Sequence, residues 1–395
     1  MKKTRRVSVR LPAAAATRRS YEIEIGAGAL DHVGDTARRA LSTDAQRVAV
    51  VSNQRVFALY GARVVRTLRA RGFKVSHWLM GDGERHKNLR TAERALAFFS
   101  ESKLERTDAV VALGGGVVGD LAGFAAAVYL RGIACMQVPT TLLAQIDASV
   151  GGKTAVNTRD GKNLIGAFHQ PRSVVISTDT LRTLRPRELT AGWCEAIKQG
   201  AVGDLRLFEK TRRFLVAERG VETARALERT HQQRELELAS LIAAQCAFKA
   251  KIVAGDERED AGRTDALSRR ILNFGHTAAH ALEAVTRYRR FRHGEAVGYG
   301  MIVAGEISER LGMLDASELE SLRACVRLAG RLPRADDLDE RAILRAIDSD
   351  KKSIGGHVRW VLLDGIGRAR IVSGQEVAPR VVRAALRAAV RTERH

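Results

Sequence analysis

Strand-like and helix-like runs alternate through the first half of the chain. RVAVVSN (47–53) is a short apolar run of strand length, and the helical stretch ALYGARVVRTLRARG follows it. FKVSHWLM (73–80) predicts a second strand and TAERALAFFSESKL (91–104) an amphipathic helix. DAVVALGGG (108–116) predicts a strand that ends in glycines, DLAGFAAAVYLRG (120–132) a helix, and IACMQVPTT (133–141) and SVVISTD (173–179) two further strands. Alternation of this kind predicts an α/β fold with a mostly parallel sheet, because parallel neighbours need a crossover between them.

From about Pro186 the pattern changes. Segments 204–254, 276–289, 294–312 and 376–393 carry helical periodicity and little strand signal. HVRWVLLDGIG (357–367) predicts a small strand or hairpin. The chain is therefore divided near residue 185 into an α/β domain of the dinucleotide-binding type (1–185) and a mainly α-helical domain (186–395).

Residues 1–19 form a basic tail. It is Arg-rich and has no acid until Glu22, as in transit peptides, but it lacks the apolar core of a secretory signal. No apolar run approaches the roughly 20 residues of a membrane span. The four cysteines lie far apart and form no CxxC, which fits reduced thiols in a cytoplasm and not a disulfide framework. The net charge of +21 suits anionic ligands, yet basic and acidic residues are interleaved and no nucleic-acid-binding motif occurs. No specific nucleic-acid partner and no membrane partner are expected.

Four segments carry candidate chemistry. Gly114-x-Gly116-x-x-Gly119 follows a strand and opens a helix, where backbone N–H groups can approach a pyrophosphate. The acid expected about 20 residues later in the usual dinucleotide fingerprint is absent. GDGERHKNL (81–89) is a second polar glycine loop, whose Glu84 and Lys87 can meet a ribose and a phosphate. PTTLLAQIDASVGGKTAVNTRDGKNLIGAFHQP (139–171) sets Asp147, Lys153, Lys162 and Asn163 among glycines with little core periodicity, as a loop closing round an anion would.

The fourth segment is ILNFGHTAAHALEAVTRYRRFRHGEAVGYG (271–300), with three of the ten histidines of the chain. His276 and His280 share a helical face at i,i+4, and Glu283 lies close to it. HTAAH lacks the glutamate of HExxH, which disfavours a metalloprotease. A catalytic zinc takes three protein ligands and leaves a position open. His276, His280 and His293 can supply nitrogens, and Glu283, Glu295 or Glu195 the carboxylate; spacing leaves the set open.

Together with RSYEIEIGAGAL, EAIKQG, HGEAVGYGM and DKKSIGG, these segments resemble the 3-dehydroquinate synthase family of sugar-phosphate cyclases, in that family's order and over about residues 19 to 370. The resemblance implies a metal, Zn2+ or Co2+, held by Glu195, His276 and His293, with His280 a polar group of the site. It implies 3-deoxy-D-arabino-heptulosonate 7-phosphate as substrate. NAD+ oxidises its C5 alcohol, phosphate leaves by β-elimination, the ketone is reduced again, and an aldol step closes the ring to 3-dehydroquinate. NAD is thus restored in each turnover.

It further implies that Arg131, Lys153, Lys162, Lys198, Lys249, Arg269 and Lys351 or Lys352 hold the substrate's anionic ends, and that Asn163, Asn273 and His280 orient it or relay protons. NAD contacts are implied at Glu84, Lys87, Gly115, Gly116, Val117, Asp120, Thr140, Thr141, Leu143, Asp147, Lys153, Lys162 and Thr183. The family also implies a cytoplasmic homodimer. The helical domain thereby becomes the metal- and substrate-binding one.

The chain departs from the family in places. DEREDAGRTDALSRRILNFGH holds several extra residues before Arg269, and Glu259 stands on the far side of them. Asn53 and Arg55 stand where the family often shows Asp and Asn near the adenosine ribose, and GWCEAIKQG is an unusual form of its motif. The alternatives are a cyclase for another sugar phosphate such as sedoheptulose 7-phosphate, a glycerol-dehydrogenase-like metal enzyme, or an inactive protein that keeps the fold. Lys153, Asn273 and His280 favour the dehydroquinate reaction over the first, and the lysine-rich loop argues against the second.

Overall fold

A computed structural model describes residues 20–219, 230–260, 262–350 and 359–392. The predicted basic tail and the pair Lys351 and Lys352 lie outside the described residues. Six strands form one parallel sheet: β1 (Glu22–Gly26), β2 (Arg47–Asn53), β3 (Lys74–Met80), β4 (Ala109–Gly114), β5 (Ala134–Pro139) and β8 (Ser173–Ser177), in the order β1-β8-β5-β4-β2-β3. Between β5 and β8 the chain makes an antiparallel hairpin of β6 (Lys153–Val156) and β7 (Ile165–Phe168).

The inner strands are buried on both faces, as parallel strands under helices are. Their alternate residues serve different cores. Val48 and Val50 of β2 pack with Val111 and Leu113 of β4 and with the helices α1 (Val33–Ala40) and α2 (54–70). Ala49, Val51, Val110 and Ala112 point the other way, onto α3 (Leu89–Glu101) and α4 (Gly116–Val128). In β8, Val175 joins the first of these cores, whereas Val174 and Ile176 face the helical part of the chain.

That part consists of α5 (Pro186–Gly203), α6 (Leu205–Glu218), α7 (His231–Gly255), α8 (His276–Val285), α9 (His293–Arg310), α10 (Ala316–Ala329), α11 (Glu340–Asp350) and α12 (Pro379–Thr392), with an antiparallel hairpin of β9 (Arg359–Leu363) and β10 (Ala369–Ser373). Helix α9 is buried from Gly294 to Ser308 and packs against α5, α8, α10, α12 and β9. Two glycine approaches set its position. A Cβ on Gly294 would lie 1.9 Å from the Ala191 carbonyl oxygen in α5, and one on Gly300 would lie 1.9 Å from the Gly275 carbonyl oxygen at the start of α8. Gly275 itself has φ 79°, a conformation that costs glycine little.

The pattern-based elements reappear with several differences. The strand at Glu22–Gly26 and the β6–β7 hairpin escape a periodicity reading, because an edge strand of five residues and two strands of four give it too few positions to register. Among the described residues the predicted helical stretch 204–254 holds two helices, α6 and α7, and a further helix precedes it from Pro186. The break after Gly203 is fixed by Asp204, whose Oδ1 accepts from the backbone of Arg206 at 2.8 Å and Leu207 at 3.3 Å as an N-cap. Helix α4 begins at Gly116, four residues before its predicted start, because the glycine turn itself opens it. Helix α7 is long and apolar enough by composition to cross a membrane, a property hidden from a search for an unbroken apolar run. Its Leu238, Leu241, Ile242 and Ile252 are spent on the helical core.

Gly300→Ala should destabilise the chain by about 3 kcal/mol or more, since no side chain yields at a backbone-to-backbone contact. Gly26→Ala, where a Cβ meets nothing within 4 Å, is the control that should leave the denaturation midpoint nearly unmoved. A second prediction concerns His169, which ties the end of the β6–β7 hairpin to the sheet through Nε2 and the Ile133 carbonyl at 2.8 Å. Burial, offset in part by this bond and aided by Arg172, lowers its pKa below the usual 6.5. The unfolded chain therefore takes up a proton first as pH falls, so stability is present above about pH 6.5 and is lost as pH drops toward the folded value. Thermal melts between pH 7.5 and roughly pH 5 should show a smaller loss in His169→Gln than in the wild type.

Candidate active site

The carboxyl ends of β2, β4 and β5 face the helical part across one cleft of 1040 Å³. Strand order reverses between β2 and β4, the switch point at which open α/β sheets bind ligands. Gly115 is the N-cap of α4 and offers no side chain, so the first N–H groups of that helix stay available at the cleft. A Cβ on Gly115 would meet Thr141 at 3.0 Å, and one on Gly116 would meet Ala148 at 3.3 Å; the turn is held close to the segment after β5.

That segment carries a π-helical turn, Ala144–Ala148, with Asp147 on it. Donors from the helical part hold its carbonyls: Cys246 Sγ on Gln145 at 3.3 Å, Gln199 Nε2 on Ile146 at 3.0 Å, and Lys249 Nζ on Asp147. Lys249 also pairs with the Asp147 carboxylate, and Lys198 Nζ lies 3.9 Å from it. Burial works to raise the Asp147 pKa, but Lys249 and Lys198 outweigh it and hold the carboxyl below its usual range. Burial lowers both lysines in turn; Glu195 and Asp147 bring Lys198 back above its usual value, while Lys249 stays below.

At the opposite wall, α5, α8 and α9 bring Glu195, His276 and His293 together, with ligand atoms within 4.8 Å of one another. Glu195 is fully buried, and neither carboxylate oxygen accepts a hydrogen bond of good geometry. Lys198 Nζ makes an ion pair with Oε2 at 2.5 Å, and His293 Nε2 lies 3.6 Å from Oε1. A buried carboxylate with so little donation is suited to a cation. Both imidazoles are oriented to match. His276 Nδ1 lies 3.3 Å from the Phe274 carbonyl, and His293 Nδ1 lies 3.3 Å from Glu283 Oε2, so each presents Nε2. Burial, with Lys198 and the two other histidines, keeps His276 neutral well below 6.5, as a ligand must be.

A second group, His280, Glu283 and His293, also falls within 4.8 Å. Glu283 is already engaged there: Oε1 accepts from Lys162 at 2.9 Å and Oε2 faces His293. Burial would raise its pKa, but His293 and Lys162 push it down to about 2. The donor set and geometry thus fit a divalent metal at Glu195, His276 and His293, with Glu283 orienting His293 from behind.

Two family models match the chain: "3-dehydroquinate synthase N-terminal" over residues 77–191 and "3-dehydroquinate synthase C-terminal" over residues 192–353. The 3-dehydroquinate synthase of Gloeobacter violaceus is 44% identical over 369 residues, covering 93% of this chain and 96% of its own. The chain belongs to the 3-dehydroquinate synthase family. The Bordetella pertussis 3-dehydroquinate synthase is likewise 44% identical, over 89% of this chain and 92% of its own. Among solved structures, 2-epi-5-epi-valiolone synthase from Streptomyces hygroscopicus, with NAD+ and Zn2+ bound, superposes with TM-score 0.81 at 26% identity over 98% of this chain and 99% of its own. A 2-deoxy-scyllo-inosose synthase complexed with carbaglucose-6-phosphate, NAD+ and Co2+ gives 0.77 at 25% over 92% of this chain and 96% of its own.

Most residues that the resemblance to 3-dehydroquinate synthases singles out meet in the cleft. Its lining includes Glu84, Lys87, Gly115, Gly116, Val117 and Asp120 on the glycine-turn side. Thr140, Thr141, Leu143, Asp147, Lys153, Lys162, Asn163 and Thr183 follow. Lys198, Lys249, Arg269, Asn273, His276, His280 and His293 complete it. Lys87 is buried between Asp120 and Asn163, whose Oδ1 it meets at 2.6 Å. Lys153 pairs with Glu259, which also accepts from Asn273 at 3.2 Å.

Glu195, fully buried, is not itself in the lining, and Arg131 lies outside the cleft. Arg131 is exposed on the turn after α4, past the end of the helix remote from the glycine turn, where Leu130 and Arg131 take left-handed φ of 48° and 68°. Arg269, across the extra residues, reaches the cleft after all. Its backbone N–H donates to Asp256 at 2.9 Å and its Nη1 to the Glu257 carbonyl at 2.9 Å. Three contributors escaped the sequence reading: Asn157, which holds Glu84 at 2.8 Å; Tyr288, whose ring lies 4.4 Å from Lys162 Nζ; and Glu283 as an orienting group and not a ligand. Asn157 stands in the quoted GGKTAVN motif, but no local pattern distinguishes the other two roles.

Glu283→Gln keeps the shape but weakens the acceptor behind His293. It should lower divalent-metal affinity about ten- to a hundredfold, read by titration against a competing chelator.

Proposed function

We propose that this chain converts 3-deoxy-D-arabino-heptulosonate 7-phosphate to 3-dehydroquinate and phosphate, with NAD on the side of the cleft before residue 185 and Zn2+ or Co2+ on the helical side after it. The observation that carries this reading is the buried, donor-poor Glu195 carboxylate beside two imidazoles presenting Nε2, opposite the open glycine turn of α4. When bound, NAD+ supplies a reversible hydride acceptor and the metal a Lewis acid for neighbouring hydroxyls.

The chain's own part is to hold a hydroxylated substrate with two anionic ends, a carboxylate and a phosphate, between these two sites. Lys153, Lys162, Lys198, Lys249 and Arg269 offer cations to its carboxylate and phosphate. Each of the four lysines is paired with a carboxylate, Glu259, Glu283, Glu195 and Asp147 respectively. Entry of the anion thus exchanges one acceptor for another, and desolvation of a bare ammonium is avoided. Positive charge fixed in this way also stabilises an enolate and a leaving phosphate. Asn163, Asn273 and His280 line the same cleft, where they can orient hydroxyls and carry protons. We also infer a homodimer: Arg131 lies outside its own cleft beside the exposed Val128 and Leu130, a placement from which it can serve a second copy.

The metal-loaded protein given the heptulosonate 7-phosphate and a catalytic amount of NAD+ should release phosphate, form 3-dehydroquinate and accumulate no NADH, and a chelator should stop it. Absence of phosphate release from protein that binds both metal and NAD+, with release from sedoheptulose 7-phosphate instead, would overturn the substrate assignment.

A further inference from the structure

Helix α8 ends in a cap that carries one left-handed residue more than it needs. Thr286 is its C-cap, and the backbone N–H groups of Arg287 and Tyr288 donate to the carbonyls of Ala284 at 2.9 Å and Glu283 at 2.7 Å. This is the Schellman arrangement, which asks for a left-handed residue directly after the C-cap. It accounts for Arg287, with φ 51°. It does not ask the same of Tyr288, which follows with φ 56°. A bulky aromatic residue is strained there, and strain of this kind gathers at functional sites.

What the conformation places is a ring. Tyr288 lines the cleft, is 48% exposed, and has its ring centroid 4.4 Å from Lys162 Nζ, inside the ~6 Å reach of a cation–π contact. Lys162 comes from the other part of the chain, at the tip of the β6–β7 hairpin. The tip fixes its own backbone: the Thr158 N–H donates to the Gly161 carbonyl at 3.0 Å, and the Asn163 N–H to Asn157 Oδ1 at 2.9 Å. Those bonds leave the four-carbon stem of Lys162 free to turn. Its head is held from α8 instead. Glu283 Oε1 accepts from it at 2.9 Å, and Tyr288, tied by its backbone to the same Glu283, covers it with the ring.

The two partners respond differently to a substrate. An incoming anion can take the place of the Glu283 carboxylate, since both accept from the ammonium. The ring attracts the charge through its face and is no rival for that place. An ammonium has three N–H donors, so Lys162 can donate to the anion and keep the ring.

We propose that Tyr288 is the positioning residue for Lys162, its ring holding the ammonium across the cleft while the anionic end of the substrate replaces Glu283. The inference rests on the anion-binding role given to Lys162 above and adds the residue that aims it.

Two measurements test it. Reductive methylation with 13C-formaldehyde keeps the lysine charge and gives each lysine a methyl resonance, that of Lys162 being the one lost in Lys162→Met. The ring should shift this resonance upfield in the wild type and in Tyr288→Phe, and the shift should vanish in Tyr288→Leu. Calorimetric titration of the metal-loaded protein with the heptulosonate 7-phosphate, with NADH in place of NAD+ so that no oxidation begins, reads the anion. Tyr288→Leu should weaken binding roughly three- to fivefold, the size of one partly exposed cation–π contact. Tyr288→Phe should bind as the wild type does, and in a Lys162→Met background Tyr288→Leu should add nothing. Tyr288→Gly removes ring and strain together, so it should weaken binding as Tyr288→Leu does without lowering the melting temperature. The role is overturned if Tyr288→Phe behaves as Tyr288→Leu, if the loss is as large without Lys162, or if the Lys162 resonance is the same with and without the ring. If the wild type does not bind the heptulosonate 7-phosphate, the substrate reading falls, and the methyl resonance alone decides whether Tyr288 holds Lys162.

Discussion

Three helix backbones meet with no side chain between them, and the chemistry of the molecule depends on that meeting. Helix α9 touches α5 at Gly294 against Ala191, and touches the start of α8 at Gly300 against Gly275. Glu195 lies one turn beyond Ala191, His276 directly after Gly275, and His293 directly before Gly294. The residues that would bind a metal are thus the neighbours of the contacts that bring the helices together. A site built this way is rigid, because a helix that carries a ligand cannot shift without parting a backbone contact.

Rigidity matters because the site gathers charge that water would otherwise disperse. Asp147, Glu195, Glu259 and Glu283 face Lys249, Lys198, Lys153 and Lys162 across the cleft, and several of these groups are fully or nearly buried. Removing one partner of such a pair leaves an uncompensated charge. The arrangement holds as an alternating set, each cation flanked by an acceptor that a substrate anion can replace. It also explains how a chain of net charge +21 keeps a basic cleft without expelling its own lysines into solvent.

The sequence was most legible where burial repeats along a regular element. β2, β4, β5 and β8 read clearly because both of their faces are covered, so their apolar runs are unbroken. β1, β6 and β7 did not, being short and only partly buried. The metal cluster was half legible. Spacing placed His276 and His280 on one face, but the choice of His293 and Glu195 depends on two helices crossing at glycines, a fact of tertiary structure. The resemblance supplied that choice, and the geometry fits it, since both Glu283 oxygens are engaged, by Lys162 and His293, whereas Glu195 has only the Lys198 ion pair and accepts no hydrogen bond of good geometry. Arg131 shows the opposite limit. Its motif is intact, yet it lies past the far end of α4, whose start opens on the cleft.

The extra residues before Arg269 show how such a site survives insertion. The segment leaves α7 at Gly255 and returns at Arg269, and both ends are tied to one carboxylate. Asp256 accepts from the backbone of Asp260 at 2.8 Å with Oδ1 and from that of Arg269 at 2.9 Å with Oδ2. Arg263 closes the loop on itself by pairing with Asp265 and donating to the Gly255 carbonyl, and the Ser268 hydroxyl donates to the Arg263 carbonyl at 3.1 Å. The ends of the loop are therefore fixed by local bonds whose number does not depend on its length. Closing a loop a few residues longer costs only tenths of a kcal/mol (~0.3) in chain entropy, far less than misplacing a buried guanidinium. Length could vary at this point because the position of Arg269 is set by Asp256 and not by the path that leads to it.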